Sequence, residues 1–340
     1  MHKRATIMDV AREAGVSKVT VSYVLNGQAE TARISEKTRD RVLLAAKDLG
    51  YTPSAIARSM VTKRCDTLGV VFQYAQYFAS RSDFTKDVML GINQAAVSLG
   101  YDLMLHTKPM QDARAEVGAL TDGRVDGVLV LRDANDEALD LLMDQPLPCV
   151  LFFMQSDRPE VAFVDADNRL GGRQAAEHLL SLGHRRLGML CGSPRSTSAM
   201  ERLAGFREAL TTADLRIDER HLLHLANVGE AEAIEDYLRS PDRPSGIFCF
   251  SDEYAFLACR IAAKVGLRVP EDLSVVGFDS LEACEHFNPP ITSIRQPVVE
   301  MARVATQMLV KIVRKEPIDQ LQIVFHTVLD VRASTAPPAA

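Results

Sequence analysis

A repeated alternation of short apolar runs with amphipathic stretches dominates the chain from residue 66 onward. Several of the amphipathic stretches end at a glycine, as at Gly100, Gly183 and Gly266. Because parallel strands need a crossover between them, this order predicts parallel sheets flanked by helices. The predicted strands include Leu68–Phe72, Leu103–Leu105, Gly127–Leu131, Val150–Phe153, Leu187–Cys191, Ile247–Phe250 and Leu273–Val276, and the predicted helices include 83–99, 168–182, 198–210 and 253–264.

The first 50 residues instead show the apolar spacing of three short helices. Thr6 caps the first helix with Asp9 three residues on, and Gly15 fits the left-handed turn that follows. Ser17 caps the second helix, and Ser35 caps the third. Two short helices joined by a three-residue turn with glycine are typical of a helix-turn-helix, whose second helix enters the major groove of DNA. An ordinary amphipathic helix pair in a bundle is the alternative.

The outward side chains of the predicted second helix carry the chemistry that DNA reading needs. Lys18 can donate to guanine acceptors, and Val19 can contact a thymine methyl group. Tyr23 can donate to a base or to a phosphate. The predicted outward residues are Lys18, Val19, Ser22 and Tyr23, with Thr20 and Asn26 beside them.

Charge is divided unevenly along the chain. Residues 1–64 carry twelve Lys and Arg against six Asp and Glu, a net charge of +6, whereas the whole 340-residue chain carries −6. The remaining residues therefore carry −12. A basic segment on an acidic body predicts that the segment, and not the body, meets a polyanion. An accident of a short segment is the alternative.

Residues 6–27 read TIMDVAREAGVSKVTVSYVLNG and resemble the DNA-binding headpiece of the LacI/GalR family of transcriptional regulators almost position for position. The resemblance continues through ISEKTR at 34–39 and LGYTP at 49–53. In the body, five further runs resemble the two-lobed, periplasmic-binding-protein-like core of that family, and the similarity extends to about residue 332. These runs are 164–172, 178–186, 202–210, 266–279 and 289–297.

The resemblance implies an all-α helix-turn-helix headpiece over residues 1–50, a hinge over 51–65 and an effector-binding α/β core over 66–332. The core is expected to contain two parallel sheets flanked by helices, in two lobes between which the chain crosses three times. The expected ranges are about 66–164 and 296–325 for the N-lobe, about 165–293 and 326–332 for the C-lobe, and 333–340 for a disordered tail.

The resemblance also implies DNA contacts in both the headpiece and the hinge. In relatives the hinge becomes a short helix in the minor groove when the dimer binds its operator, and an apolar residue there inserts between base pairs. Met60 stands at that position, where leucine is usual, and Ser54 stands where many relatives have asparagine. An ordinary flexible linker is the alternative. The expected contacts are Thr6, Ser17, Lys18, Val19, Thr20, Ser22, Tyr23, Asn26, Arg33, Ser35, Tyr51, Ser54, Ala57 and Met60.

Ligands of open parallel sheets bind at the carboxyl ends of the strands, which places an effector in the cleft between the lobes. Arg202 and Asp279 match effector-binding positions of the family, and an arginine facing a carboxylate can hold sugar hydroxyl groups. A structural Arg–Asp pair is the alternative. Phe153, at a strand end, either stacks on an apolar ring face of the ligand or belongs to the core. The expected effector contacts are Phe84, Phe153, Arg202, Ser251, Asp252 and Asp279.

Patterns that would indicate catalysis or a bound metal are missing from the sequence. No nucleotide-binding, serine-hydrolase or zinc-protease motif occurs. The run 165–168 hints at a calcium loop, but Leu170 replaces the turn glycine. His184, directly after Gly183, is predicted to be a cation at a helix end. We therefore expect neither an enzyme nor a cofactor nor a metal ligand.

These features together predict a transcriptional repressor that binds palindromic operator DNA as a homodimer and responds to a small molecule, a sugar or sugar derivative. A sugar-binding receptor without a regulatory role is the rival interpretation, but a receptor of that kind needs export, and no signal peptide is recognised. The protein is thus expected in the bacterial cytoplasm, without membrane association. Because the tail lacks heptads, no tetramerising coiled coil is expected. Whether the ligand promotes or releases DNA binding stays open.

Overall fold

The computed structural model describes residues 5–52, 64–72, 82–107, 112–132, 136–225 and 230–339. The chain divides into two compact units, Met1–Asp66 and Thr67–Ala340. Across the described ranges, none of the helices combines the length and the apolar character that a bilayer crossing requires.

The smaller unit is a helical headpiece with a core of its own. In its described part it consists of α1 (Ile7–Ala14), α2 (Lys18–Leu25) and α3 (Glu36–Asp48). Each helix contributes one apolar face to a shared core, as the helical spacing of these residues predicts. The buried core residues are Val10, Ala11, Ala14, Val21, Val24, Ala29, Val42, Ala45 and Ala46.

Side-chain caps fix where the headpiece helices begin. The Asp9 carboxylate accepts the backbone N–H of Thr6 at 2.9 Å, while the Thr6 hydroxyl accepts the N–H of Asp9 at 3.4 Å. The hydroxyl of Ser17 caps α2 and that of Ser35 caps α3 in the same way. Gly15 ends α1 with φ of 63°, in the left-handed region that favours glycine. The predicted caps and the predicted turn are therefore confirmed.

The larger unit contains two parallel sheets, as predicted. Within the described residues, sheet A has the strand order β11-β5-β4-β3-β1-β2 and is parallel throughout. Sheet B has the order β12-β10-β9-β8-β6-β7, in which only β12 runs antiparallel to its neighbour. The strands are β1 (Thr67–Phe72), β2 (Asp102–His106), β3 (Gly127–Leu131), β4 (Cys149–Phe152), β5 (Phe163–Ala166), β6 (Leu187–Cys191), β7 (Leu222–His224), β8 (Gly246–Cys249), β9 (Ser274–Asp279), β10 (Thr292–Arg295), β11 (Gln322–Phe325) and β12 (Val328–Asp330).

Helices cover these sheets and complete two lobes, the N-lobe around sheet A and the C-lobe around sheet B. The N-lobe core combines residues from the beginning and from the end of the larger unit's sequence, because α12 packs against α4 and sheet A. The helices are α4 (Asp83–Leu99), α5 (Ala113–Leu120), α6 (Glu137–Met143), α7 (Asn168–Ser181), α8 (Thr197–Thr212), α9 (Ala231–Arg239), α10 (Asp252–Lys264), α11 (Ala283–His286) and α12 (Val298–Arg314), with a 3₁₀ turn at Glu219–His221.

In the described part of the chain, three crossings connect the lobes. The first follows β5 at Asp167, the second follows β10 at Gln296, and the third lies at Thr327 between β11 and β12. Strand β5 ends at Ala166, slightly beyond the predicted lobe boundary at 164. Neither lobe is one continuous segment, as the family resemblance implies.

Two glycines allow α7 and α8 to approach each other closely. A Cβ atom on Gly172 would lie 1.9 Å from the carbonyl oxygen of Arg202, and one on Gly205 would lie 1.8 Å from that of Arg169. Any larger residue would push the helices apart. This contact fixes the backbone of α8 at Arg202, and thereby the position from which that side chain extends.

The predicted disorder of the tail is wrong for residues 333–339. Ser334 is fully buried, and its carbonyl oxygen accepts the backbone N–H of Val275 at 2.8 Å. Its hydroxyl donates to the Val275 carbonyl oxygen at 2.6 Å and accepts the N–H of Thr292 at 2.8 Å. The tail has few apolar residues, but it supplies hydrogen-bond partners at the start of β9 and β10, and that orders it.

The predicted helix-end cation at His184 is also wrong. Its side chain is 1% exposed, and its Nδ1 atom lies 2.8 Å from the Ser245 hydroxyl. Its Nε2 atom lies 2.9 Å from the carbonyl oxygen of Ala336. Burial lowers the pKa of His184, so the imidazole is a neutral anchor for the tail rather than a surface charge.

Candidate functional site

The exposed face of α2 presents three of the four side chains that the sequence predicts to point outward, since Ser22 is half-buried. Val19 and Tyr23 are 61% and 41% exposed, and Lys18 is exposed beside them. The opposite face buries Val21 and Val24 in the headpiece core. An exposed apolar and aromatic pair next to a cation, on a rigid helix, is suited to contacting base edges and phosphates.

The polar neighbours on α2 are half-buried and hydrogen-bonded within the helix. Asn26 donates through Nδ2 to the Ser22 hydroxyl at 3.2 Å. The Thr20 hydroxyl lies 2.9 Å from the Ser17 hydroxyl, which also caps the helix. These hydrogen bonds therefore stabilise the start and the end of α2, which carries the exposed residues Lys18, Val19 and Tyr23.

The remaining predicted DNA contacts lie outside α2. Thr6 and Ser35 are helix caps, and Arg33 is exposed with a left-handed φ of 52°. Tyr51 is half-buried because its ring packs against the headpiece core. The predicted hinge contacts lie outside the described residues; these are Ser54, Ala57 and Met60.

In the core unit, Arg202 enters from α8 and is held on several sides. Its Nε donates to Asn168 Oδ1 at 2.9 Å, and its Nη1 donates to the Phe250 carbonyl oxygen at 2.5 Å. The guanidinium carbon lies 3.4 Å from the ring centroid of Phe278 and 4.5 Å from that of Phe250. With 4% of its surface exposed, Arg202 has a fixed orientation.

Asp279 ends β9, and its carboxyl group interacts electrostatically with this guanidinium. Its Oδ1 accepts Gln296 Nε2 at 2.6 Å, and its backbone has a left-handed φ of 114°. Burial raises the pKa of Asp279, and the charge of Arg202 opposes that rise. Burial in turn lowers the pKa of Arg202 to about 10, and Asp279 opposes that fall. A buried guanidinium and a buried carboxyl group, both poorly solvated by water, thus interact here, which is a setting that suits hydrogen bonds to ligand hydroxyl groups.

The N-lobe side of the cleft is aromatic. The Phe153 ring stacks on Phe152 with centroids 3.9 Å apart and lies 5.0 Å from the Phe84 ring. The Phe153 backbone has a left-handed φ of 61°, and its carbonyl oxygen accepts the Ser198 hydroxyl of the C-lobe at 3.2 Å. Both rings are half-buried and pack against the N-lobe core, so the stacking and core interpretations of Phe153 both fit.

A pocket of about 250 Å³ lies where the second crossing meets both lobes. Asp279 and Gln296 line it together with Asp87 and Arg295. Burial raises the pKa of Asp87. Gln296 is 3% exposed, and its Oε1 atom has no hydrogen-bond partner within the described residues. Gln296 is not among the effector contacts predicted from the sequence, although it lies within the family-like run 289–297.

Asp252, which the sequence predicts to contact the effector, is buried instead and bonded within the C-lobe. Its side chain has no exposed surface; Oδ1 accepts the Ser293 hydroxyl at 2.5 Å, and Oδ2 accepts the Leu281 N–H at 2.8 Å. These bonds join α10 to the loop after β9 and to β10, which is a structural role. Ser251, directly before it, is half-buried and begins α10 without a side-chain cap.

Two family descriptions match this chain. "Bacterial regulatory proteins, lacI family" matches residues 6–54, and "Periplasmic binding protein-like domain" matches residues 176–335. The chain is 35% identical to the HTH-type transcriptional regulator CelR of Thermobifida fusca, over 98% of both chains. It is 32% identical to the HTH-type transcriptional repressor PurR of Photobacterium profundum, over 97% of this chain and 98% of that protein.

Solved structures give the same picture. The chain is 33% identical to the transcriptional regulator CelR in complex with cellobiose, with a TM-score of 0.72 over 97% of this chain and 100% of that one. It is 25% identical to the lac repressor dimer bound to operator and the anti-inducer ONPF, with a TM-score of 0.84 over 98% and 100% of the two chains. Helix-turn-helix and two-lobed core therefore occur together in the relatives as they do here.

Proposed function

The chain belongs to the LacI family of bacterial regulatory proteins, and we propose that it is a repressor that binds a palindromic operator as a homodimer. A small molecule in the interlobe cleft controls the operator affinity. The relatives named above are transcriptional regulators, not enzymes. We further propose that residues 1–50 read the major groove, that 51–65 form the hinge, and that 66–332 sense the ligand.

The exposed set Lys18, Val19 and Tyr23 on α2 carries the DNA part of this proposal. A two-fold dimer presents two such helices to successive major-groove faces, so its site is a near-palindrome. The net charge of +6 over residues 1–64 supports phosphate contact, while the acidic remainder is repelled.

Selection from a random duplex pool tests this part directly. The selected sequences are expected to be near-palindromic, and fluorescence anisotropy is expected to show tight binding that weakens steeply with salt. Binding of equal strength to scrambled duplexes would contradict a sequence-specific regulator.

For the hinge, we propose that Met60 inserts between the central base pairs. Met60→Gly is expected to weaken binding to the selected operator more than binding to scrambled duplex, because only the operator complex benefits from the insertion. Equal losses on both duplexes, measured by anisotropy, would argue against insertion.

The effector we propose is a sugar or sugar derivative held between Arg202 and Asp279, with Phe84 and Phe153 against an apolar ring face. Buried groups of opposite charge suit hydroxyl groups, and aromatic rings suit the carbon–hydrogen face of a pyranose. Ser251 is proposed as a peripheral contact. Since the relative CelR has been solved with cellobiose, cellobiose is the first candidate.

A thermal-shift screen of cellobiose, other sugars and nucleosides identifies the ligand, because a ligand that binds only the folded state raises the unfolding temperature. A nucleoside hit without a sugar hit would replace the proposed ligand class. Sugar binding without sequence-selective DNA binding would favour the second candidate function, a sugar-binding receptor without a regulatory role.

A further inference from the structure

A chain of buried hydrogen bonds runs from Arg202 in the C-lobe to the N-lobe. Arg202 donates to Asn168 Oδ1 at 2.9 Å, and Asn168 Nδ2 donates to the two carboxylate oxygens of Asp165 at 3.2 and 3.3 Å. Gln155 Nε2 donates to Asp165 Oδ2 at 3.1 Å. Arg202, Asn168 and Asp165 are 4%, 2% and 3% exposed, so water competes little for the bonds among these three residues.

The two ends of this chain belong to different lobes. Asp165 lies in β5 of sheet A, whereas Asn168 is the first residue of α7 and Arg202 lies in α8 of the C-lobe. Only Ala166 and Asp167 separate Asp165 from Asn168, and Asp167 is the first crossing. A rotation of one lobe about this crossing therefore changes the geometry between Asn168 and Asp165.

The carboxamide of Asn168 fits its partners in one orientation only. Its oxygen accepts from a guanidinium, which has no acceptor, and its nitrogen donates to the Ala166 carbonyl oxygen at 3.1 Å as well as to Asp165. Asp165 is fixed in turn, because its Oδ1 also accepts the backbone N–H of Ala166 at 2.8 Å. The position of Arg202 is thus tied to the position of sheet A through one side chain.

We propose that Asn168 is a positioning residue that couples effector contact at Arg202 to the relative orientation of the two lobes. A ligand shifts a conformational equilibrium only if it binds the two states differently. Asn168 provides that difference, because it connects Arg202 to Asp165 of the N-lobe, whereas the contacts of Arg202 with Phe250 and Phe278 lie within the C-lobe. The inference rests on the proposed function in one respect: it takes Arg202 as an effector contact.

A second interlobe connection on the same helix supplies a matched control. Gln174 Nε2 donates to the Thr327 carbonyl oxygen at 3.1 Å, and its Oε1 accepts the Thr327 hydroxyl at 3.0 Å. This connection joins α7 to the third crossing and does not include Arg202, Asn168 or Asp165. Gln174→Ala therefore removes interlobe hydrogen bonds without removing the bond on which the proposal depends.

Two substitutions at the contact between Asn168 and Asp165 first break and then restore this series of hydrogen bonds. Asn168→Asp has nearly the same shape and keeps an acceptor for Arg202, but it loses the amide donor to Asp165 and to the Ala166 carbonyl oxygen, and it places a second carboxyl group against Asp165. Asp165→Asn in the same protein restores a donor, because the new amide can donate to the carboxylate at position 168. The single variant is thus expected to be defective and the double variant to recover, which a general loss of packing would not produce.

Coupling is read as the ratio of operator affinities with and without cellobiose, using the operator selected by the wild-type protein. We expect Asn168→Asp to reduce this ratio at least fivefold, within the usual range of allosteric coupling, while operator affinity without ligand changes less than threefold. The double variant is expected to regain the wild-type ratio, and Gln174→Ala to keep it. A wild-type ratio in Asn168→Asp, or no recovery in the double variant, would overturn the proposal.

A measurement without any ligand separates this inference from the proposed function. Spin labels on genetically encoded residues at Ala115 in α5 and Ala263 in α10, diluted with unlabelled protein, report the distance between the lobes by pulsed electron resonance. Asn168→Asp is expected to broaden that distance distribution about the wild-type mean, and the double variant to narrow it again. An unchanged distribution in Asn168→Asp would overturn the proposal. If the wild-type chain binds neither cellobiose nor a selected duplex, the proposed function fails, while the lobe distance still decides the role of Asn168.

Discussion

The headpiece carries Lys18, Val19 and Tyr23 on the outside of one eight-residue helix, whereas the core buries its charged candidates Arg202 and Asp279. Val19 is 61% exposed and Arg202 is 4% exposed. A side chain on the surface of α2 can be exchanged with little effect on the fold, because few neighbours depend on it. A cleft side chain is held by residues from distant parts of the chain, so its replacement changes stability and ligand contact together. Four substitutions measure that difference, beginning with the largest expected effect.

Gly205→Ala should destabilise the core most. The added Cβ would lie 1.8 Å from the carbonyl oxygen of Arg169, so α7 and α8 must move apart. We expect the free energy of unfolding of the core to fall by about 3 kcal/mol, measured by chemical denaturation. The matched control is Gly118→Ala in α5, where a Cβ meets no atom within 4 Å and alanine favours the helix. Equal midpoints for the two variants would show that close packing at Gly205 is not a constraint.

Asp252 should make the core more sensitive to pH than the headpiece. Burial raises the pKa of Asp252 from 3.8 to about 6, so between these values the folded protein retains a proton that the unfolded chain has released. Protonation of Asp252 therefore contributes up to about 3 kcal/mol to the free energy of unfolding. This contribution is fully present below about pH 4 and is lost as the pH rises through about 6.

Asp252→Asn, which keeps the shape of the side chain, should flatten this dependence. The free energy of unfolding of the wild-type protein and of Asp252→Asn is measured from pH 4 to 7, and the two pH dependences are compared. An unchanged slope in the variant would assign the titration to another buried carboxyl group, such as Asp165 or Asp279.

Arg202→Ala should abolish the effector response while the headpiece still binds the operator. The response corresponds to a coupling free energy of about 1–3 kcal/mol, which requires the guanidinium. Operator affinity is compared with and without ligand, and Arg260→Ala on the exposed surface of α10 serves as the control for charge loss. A wild-type response in Arg202→Ala would remove this residue from the ligand site.

Lys18→Ala should have the smallest effect, a loss of about tenfold in operator affinity, or about 1.4 kcal/mol. Lys47→Ala, at the exposed end of α3, removes the same charge from the same unit. Anisotropy titrations at several salt concentrations compare the two variants. Equal losses on the selected operator would mean that Lys18 contributes only charge and does not read a base.

Local features of the sequence were sufficient to predict the headpiece. Thr6, Ser17 and Ser35 cap helices whose partners lie three residues away, so residue type and spacing determine the geometry. The same holds for β3 and β6, where continuous apolar runs give the strand bounds. The family resemblance added the pairing of Arg202 with Asp279, which spacing alone could not supply.

Features that depend on distant partners were not predictable in this way. Ser334 is ordered by Val275, His184 is buried under Ala336, and Asp252 is saturated by Ser293 and Leu281. The fold of the C-lobe creates each of these contacts. The residues next to either partner in the sequence do not indicate that the contact forms. Asn168 was within a recognised motif, but its role became visible only when Arg202 and Asp165 were placed on either side of it.

The three crossings have a consequence for how the protein is made on the ribosome. Helix α12 supplies buried residues of the N-lobe core, including Met301, Ala302 and Leu309, yet it emerges about 130 residues after β5. At roughly 5–20 residues per second, translation of the intervening segment takes on the order of 10 s. During that interval the nascent N-lobe lacks one side of its core, and it can be completed only after the C-lobe segment has been synthesised. The gene therefore cannot be cut at one point to yield two independent lobes.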